Sequence, residues 1–338
     1  MEVEIRQAVD KTLAQTDADQ WVARIDQDPA AVGEHVLQHL DSSVRSTLEK
    51  STRGQSTNGL LHLKGVFDAA TGLPDSPKGF APLPICPPVN AARLTVLAVN
   101  QLLGHAPVSY GSENDGHLFV NLVAMPGQGR SAEKSTKGMR GHTDAVSFPF
   151  PGQQDSRHPR IAPSPDAVCL AALRNPDDIA TMVIPLRQIL SRLDEADIEQ
   201  LKKDQFLITC QGTFKDGTIA VLGDAHQVED VSVLLSRGVN DFWVRFSHSN
   251  VAPSYTAPEA TEQALVKVAQ ACEEVAHPIV LGAGDIVILD NRTMLHGRSE
   301  VGKEVGGNAR WLLRSYGLAS DNIPKTAFHK GSSFKLWP

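Results

Sequence analysis

Along residues 1–50 the apolar side chains Trp21, Ile25, Val32, Val36, Leu40, Val44 and Leu48 recur at helical spacing between charged ones. That period gives each segment one apolar stripe, so the stretch is expected to form amphipathic helices that buttress a sheet. Gly59–Val66 instead alternates with period two and predicts a half-buried strand, and the proline-rich stretch Pro74–Pro88 after it predicts an irregular connection. Ala91–Leu103 predicts a core helix. Strand-like segments follow at His117–Met125, Ala145–Phe150, Ala167–Leu173 and Thr181–Ile184, separated by polar, glycine-rich or proline-rich loops. The loop Gly127–Gly141 is long and rich in Gly, Ser and Lys, a type that serves as a lid or is mobile. Pro185–Lys203 returns to helical spacing. Pro258 starts another helix running to about Ala276, with Leu265, Val268, Cys272 and Val275 on its inner face. No internal repeat and no clean linker divides the chain, which reads as a single domain.

Composition narrows the class. The 338 residues are 41% hydrophobic and 21% charged, the balance of an ordinary globular protein. A net charge of -7 argues against nucleic acid as a partner, since such binders carry a basic patch. Cys86, Cys169, Cys210 and Cys272 are far apart and form no C-x-x-C pair, so neither a zinc ribbon nor a disulfide framework is indicated. The N-terminus lacks a basic and apolar leader, and no apolar run reaches membrane-spanning length. These features lead to the expectation of a cytoplasmic protein with no membrane partner.

The chemistry is concentrated in two places. Gly284-Asp285 forms a turn that feeds the apolar run Ile286–Leu289, and the following segment delivers His296. Upstream, His142 and Asp144 are two apart, so on an extended chain both side chains face one cavity. An H-x-D triplet alone is weak evidence. Combined with the distal histidine it completes two histidines and one carboxylate, the facial set that holds non-haem Fe(II) and leaves coordination positions open. Arg310 and Arg314 follow His296 by 14 and 18 residues, and their spacing puts both on one strand face while Trp311 and Leu313 take the other. Burying them is unfavourable unless each meets an anion, either an acid of the protein or a bound carboxylate that fits the guanidinium fork. Elsewhere, His35 and His39 have the i, i+4 spacing of a helical metal pair but no evident third ligand, and Asp177 and Asp178 read as a loop or helix-start pair. There is no P-loop and no G-x-G-x-x-G.

Taken together, residues 58–318 resemble the Fe(II)/2-oxoglutarate-dependent dioxygenases of the clavaminate synthase-like, taurine dioxygenase-related group, close to its amino-acid hydroxylases. Leu102-Leu103-Gly104 with Tyr110 and Glu113-Asn114-Asp115-Gly116 resembles the family's substrate-entry strands, and Ala180–Val183 resembles the strand carrying its 2-oxoglutarate threonine. The resemblance implies a mainly β fold with flanking α-helices around a double-stranded β-helix (jelly-roll, cupin-like) core over 58–318. A helical buttress over 1–57 would precede it and a C-terminal extension over 319–338 would follow. It implies Fe(II) on His142, Asp144 and His296, with 2-oxoglutarate as cosubstrate, its distal carboxylate on Arg310 with help from the Thr181 hydroxyl, and O2 as oxidant. The substrate implied is an α-amino acid or amino-acid-derived small molecule, its carboxylate on Arg314 and its amine near Glu113. Glu113 has a second reading, an exposed turn acid before the hairpin signal Asn114-Asp115-Gly116.

Halogenating relatives lack the carboxylate that Asp144 supplies, so hydroxylation with release of succinate and CO2 is favoured over halogenation. Desaturation or cyclisation by the same chemistry, a non-catalytic barrel that binds a small carboxylate, and a zinc hydrolase are the alternatives. Arg310 with Thr181 argues against the hydrolase. Relatives that hydroxylate arginine carry acids just after the corresponding Arg-Phe, where this chain has Ser247 and Ser249, which counts against a guanidinium-bearing substrate. Oligomeric state has no signature in the sequence.

Overall fold

The computed structural model describes residues 1–338 except 57, 58, 128–131, 133, 134 and 303. The amphipathic N-terminal stretch forms α1 (Glu2–Leu13), α2 (Ala18–Gln27), α3 (Pro29–Leu37) and α4 (Ser42–Ser56). Asp28 caps α3 by accepting the Ala31 amide at 3.0 Å, and Pro29 opens the helix where no donor is needed. These helices cover α5 (Pro87–Leu103), which is buried along nearly its whole length. It starts at Pro87 rather than Ala91 because prolines are tolerated in a first helical turn, and it stops at Gly104, whose φ of 79° suits glycine.

Behind α5 lies a seven-stranded sheet ordered β1 (Leu60–Leu63), β13 (Ile286–Asp290), β5 (Ala167–Arg174), β15 (Trp311–Ala319), β2 (His105–Tyr110) and β16 (Lys335–Leu336). Its seventh strand, β3 (Val120–Val123), pairs along the first half of β15. A four-stranded sheet runs β12 (His277–Val280), β6 (Ala180–Pro185), β14 (Met294–Arg298), β4 (Met139–His142). Strand alternation divides the large sheet between two cores. Cys169, Ala171, Ile286, Ile288, Trp311 and Leu313 pack toward the helices, whereas Val168, Leu170, Val287, Leu289, Leu312 and Tyr316 share an inner core with Val183 and Met294 of the small sheet. Burying a side chain such as Leu313 contributes roughly 1.5–3 kcal/mol, which pins the register and sends the even-numbered residues of β15 inward.

The far face of the small sheet, through Ile184 and Leu295, packs on a third core. That core is built from α6 (Leu186–Leu190), α7 (Glu195–Leu201), α9 (Glu259–Glu274) and an insert between α7 and α9. The insert holds β7 (Phe206–Thr209), α8 (Gly212–Leu222), β8 (Gln227–Val231), β9 (Leu234–Gly238), β10 (Asp241–Val244) and β11 (Val251–Pro253).

Several sequence expectations are corrected. Ala145–Phe150 is no strand: it turns directly after Asp144, with Ala145 at φ 52°. Its apolar residues are buried without strand partners: Phe148 lies against Tyr110 and Phe214, Phe150 beside Trp243, and Val146 in the third core. His117–Met125 is strand only over Val120–Val123. Pro185–Lys203 breaks into α6 and α7, the second opened by a capping box between Asp194 and Asp197. On α9, Val268 and Cys272 face inward as expected, followed by Val275, while Leu265 is only partly buried. Of the loop Gly127–Gly141, residues 128–131, 133 and 134 lie outside the described residues, and Met139–Gly141 already belong to β4. All four cysteines are free thiols. Among the described residues no helix is long and apolar enough to cross a membrane.

Candidate active site

The small sheet delivers the two histidines side by side. His142 ends β4 and is the direct register partner of His296 on β14, so their rings meet with centroids 4.4 Å apart. Asp144 reaches the same point from the turn after β4. Its Oδ1 lies 3.6 Å from His142 Nε2 and its Oδ2 3.7 Å from His296 Nε2. All three residues are buried, and one ligand atom from each falls within 4.8 Å of the others, the only such group among the described residues.

The protonation pattern suits a cation. His142 Nδ1 stands 3.0 Å from the Arg140 carbonyl, which can only accept, so that nitrogen carries a proton and Nε2 is the nitrogen turned toward Asp144. Burial, with His142 alongside, pushes His296 down to about 3 and keeps its imidazole neutral. Asp144 Oδ2 is buried without a hydrogen-bond partner. A buried acceptor left in this state is costly unless something positive fills the gap between the three side chains.

Arg310 lies just before β15 and is also buried, yet no acid pairs with it among the described residues, and its Nε has no partner. Burial, together with the like charge of Arg298, pushes it down to about 9. Arg298 itself stands in register opposite Thr181, which is buried on the inward side of β6, and donates to the Lys137 carbonyl at 2.7 Å. Thr181 and Arg310, both buried, thus lie at one end of the site with the partly buried Arg298 beside them. Arg298 belongs to the His296 motif but had no role in the sequence reading; its even spacing from His296 was the available signal.

Arg314 has a different environment. Its Nη2 donates to Glu113 Oε2 at 2.7 Å, and its guanidinium lies over the Tyr316 ring, 4.5 Å from the centroid. The predicted turn at Asn114–Gly116 forms, with Asn114, Asp115 and Gly116 all at positive φ, but Glu113 before it is buried at 3% exposure. The reading of Glu113 as an exposed turn acid is therefore wrong. Burial pushes the Glu113 carboxyl up against the pull of Arg314. Burial also works against the Arg314 charge, but Glu113, Tyr316 and Asp144 outweigh it and its pKa rises. Of Arg310 and Arg314, the second has met an acid of the protein and the first has met none among the described residues.

The remaining candidates separate cleanly. His35 and His39 pack edge to face, with His35 bonded to Gln15 and no third ligand among the described residues. Asp177 and Asp178 lie exposed in a turn between β5 and β6. Ser247 bridges to His142, whereas Ser249 is exposed.

The profile described as Taurine catabolism dioxygenase TauD, TfdA family matches residues 87–316, which include every residue of this site. The chain belongs to that family. Within it, the chain is 26% identical over 298 residues to the L-lysine 3-hydroxylase of Catenulispora acidiphila, covering 87% of this chain and 76% of the relative. Solved structures share the fold of this TauD-family chain. An asparagine oxygenase in complex with Fe(II), 2S,3S-3-hydroxyasparagine and succinate has a TM-score of 0.78 at 19% identity, over 100% of this chain and 97% of that one. The non-heme iron oxygenase OrfP with Fe, succinate and (3S)-hydroxy-L-Arg has a TM-score of 0.74 at 17% identity, over 98% and 96%. The architecture common to them is mostly β with flanking helices.

Proposed function

We propose that this TauD-family chain is an Fe(II)- and 2-oxoglutarate-dependent oxygenase that hydroxylates an aliphatic C–H of an α-amino acid or a closely related small molecule. One observation carries the reading: a buried His-Asp-His group with an unsatisfied carboxylate oxygen lies at the small sheet, and just before β15 of the large one is a buried arginine with no acid partner among the described residues. The first asks for a cation and the second for an anion. We read the two sheets as the walls of a double-stranded β-helix core over 58–318, with 1–57 as its helical buttress and 319–338 as an extension.

His142, Asp144 and His296 would hold Fe(II), which with 2-oxoglutarate and O2 supplies the oxidising chemistry, yielding succinate, CO2 and a hydroxylated product. Two neutral imidazoles and one carboxylate would leave the ion one net positive charge, which favours an anionic cosubstrate. Arg310 grips the distal carboxylate of 2-oxoglutarate, with the Thr181 hydroxyl as a neutral donor and Arg298 adding positive charge at the same end. Glu113 and Arg314 receive the substrate head: the amine takes Arg314's place beside Glu113, and the carboxylate takes Glu113's place beside Arg314. A zwitterion satisfies both partners of the opened pair, whereas a ligand with one charge strands the other partner in a desolvated site. The inner apolar residues exclude water from the reacting carbon.

Amino acids or their hydroxylated forms are also what the L-lysine 3-hydroxylase, the asparagine oxygenase and OrfP above act on or bind. The test is a screen of free amino acids for substrate-dependent succinate release with added Fe(II) and 2-oxoglutarate, with mass spectrometry of each product. Gain of one oxygen is the expected outcome. Loss of two hydrogens would redirect the assignment to desaturation or ring closure, and no succinate with any amino acid would remove the substrate class.

A further inference from the structure

Asp144 does not sit in a regular element. It follows the end of β4 and begins a turn whose next residue, Ala145, has φ 52°, a conformation that costs an L-residue about 1–2 kcal/mol. Such a turn persists only where its surroundings fix it. Two carboxamides do so. Asn291, 1% exposed, accepts the Asp144 amide at 2.8 Å on Oδ1 and donates through Nδ2 to the carbonyls of Asp144 and Pro165, both at 3.0 Å. Gln211 donates through Nε2 to the Thr143 carbonyl at 3.0 Å and accepts the Val146 amide at 3.4 Å.

Every one of these bonds goes to main chain. The backbone around Asp144 is held by donors and acceptors of neutral side chains, while its carboxylate Oδ2 is left without a partner. The location of the clamp residues adds to the argument. Asn291 lies in the connection from β13 of the large sheet to β14 of the small sheet, the strand that carries His296, and Gln211 is the N-cap of α8 in the insert. Asn291 therefore ties the segment bearing one metal-binding residue to the segment bearing another.

We infer that Asn291 and Gln211 are positioning residues that set the Asp144 arm of the metal site before any ion arrives, Asn291 being the dominant one. The inference rests on the reading of His142, Asp144 and His296 as Fe(II) ligands. An ion that finds the carboxylate already placed does not have to order the turn on binding, so loosening the turn weakens affinity even though no ligand atom has changed.

The test is anaerobic titration of Fe(II) into the full-length protein with 2-oxoglutarate present, followed by the visible charge-transfer absorption, alongside thermal melts of the metal-free protein. Asn291→Ala should weaken Fe(II) binding about tenfold or more, and Gln211→Met by a smaller but measurable factor. Asn100→Ala serves as the control for stability alone, because it removes a buried carboxamide that bonds Val96 and Cys169 on the helix-facing side of the large sheet. It should melt at lower temperature with unchanged Fe(II) affinity. Asn291→Ala that melts early but keeps Fe(II) affinity within about twofold would overturn the inference, since effects on a ligand's support are expected well beyond that. Should Asn291→Ala fail to fold, the half-buried Gln211 decides, and unchanged affinity in Gln211→Met overturns it. Absence of the absorption in the unsubstituted protein would instead bring down the metal-site reading itself.

Discussion

Glu113→Gln separates the two charges of the substrate head. The glutamine keeps the size of the side chain and an acceptor for Arg314, but removes the charge from a pair whose N–O distance is 2.7 Å and whose members are 3% and 12% exposed. A charge-assisted hydrogen bond contributes about 1.5–3 kcal/mol and a neutral one about 0.5–1.5, so the fold should lose roughly 1–2 kcal/mol. Deleting one partner outright would cost about 3–5 kcal/mol. The informative effect is on ligands. For an amino acid that passes the succinate screen, the amine loses its anionic partner, which at about 1.4 kcal/mol per decade weakens binding roughly tenfold to a hundredfold. The deaminated analogue of the same amino acid should move the other way. In the native protein its carboxylate must draw Arg314 off Glu113 and leave that acid unpaired, and in the variant this penalty is gone. Calorimetric binding of both ligands, anaerobically with Fe(II) and 2-oxoglutarate present, should therefore show a crossing pattern. Equal losses for the two ligands, or no change in either, would refute the exchange of partners.

Arg310→Ala should mainly raise the 2-oxoglutarate concentration needed for half-maximal succinate release, by about 1.5–3 kcal/mol in binding terms, and Arg310→Lys should recover only part because a point charge lacks the fork; unchanged cosubstrate affinity would reject the clamp. Gly217→Ala should raise KM for the amino acid and leave that for 2-oxoglutarate nearly constant, because a Cβ there runs into the Ser112 backbone and pushes α8 off the turn that carries Glu113. His248, pushed down to about 4 mainly by burial, stays neutral in the fold while the unfolded chain takes up its proton from about pH 6.5 downward. Stability of the metal-free protein should accordingly fall as pH drops through that window, and His248→Gln should flatten the slope measured by denaturant titration at several pH values. Burial pushes the Cys169 and Cys272 thiols up to about 12, so neither should react with iodoacetamide at neutral pH until the protein unfolds.

Local pattern carried a large part of this protein. The helical stripe through Trp21, Ile25 and Val36 and the alternation that sends Arg314 inward while Trp311 and Leu313 go outward both depend on the period of a short segment, whereas Asp144 reaches the His142 site from a turn and not from a continued strand. Period is written in the sequence because side-chain direction repeats every 3.6 residues in a helix and every two in a strand. The same reasoning misread Ala145–Phe150, since apolar content reports burial and not the partner that achieves it. Phe148 is buried by Tyr110 and Phe214 in a turn, not by neighbours in a sheet. What tertiary structure decided were pairings between groups far apart in the chain: Arg314 with Glu113 at a separation of 201 residues, and Asn291 with the Asp144 backbone at 147. Those partners satisfy each other only because both have been taken out of water by the same folded core, a desolvation that neither local segment imposes alone.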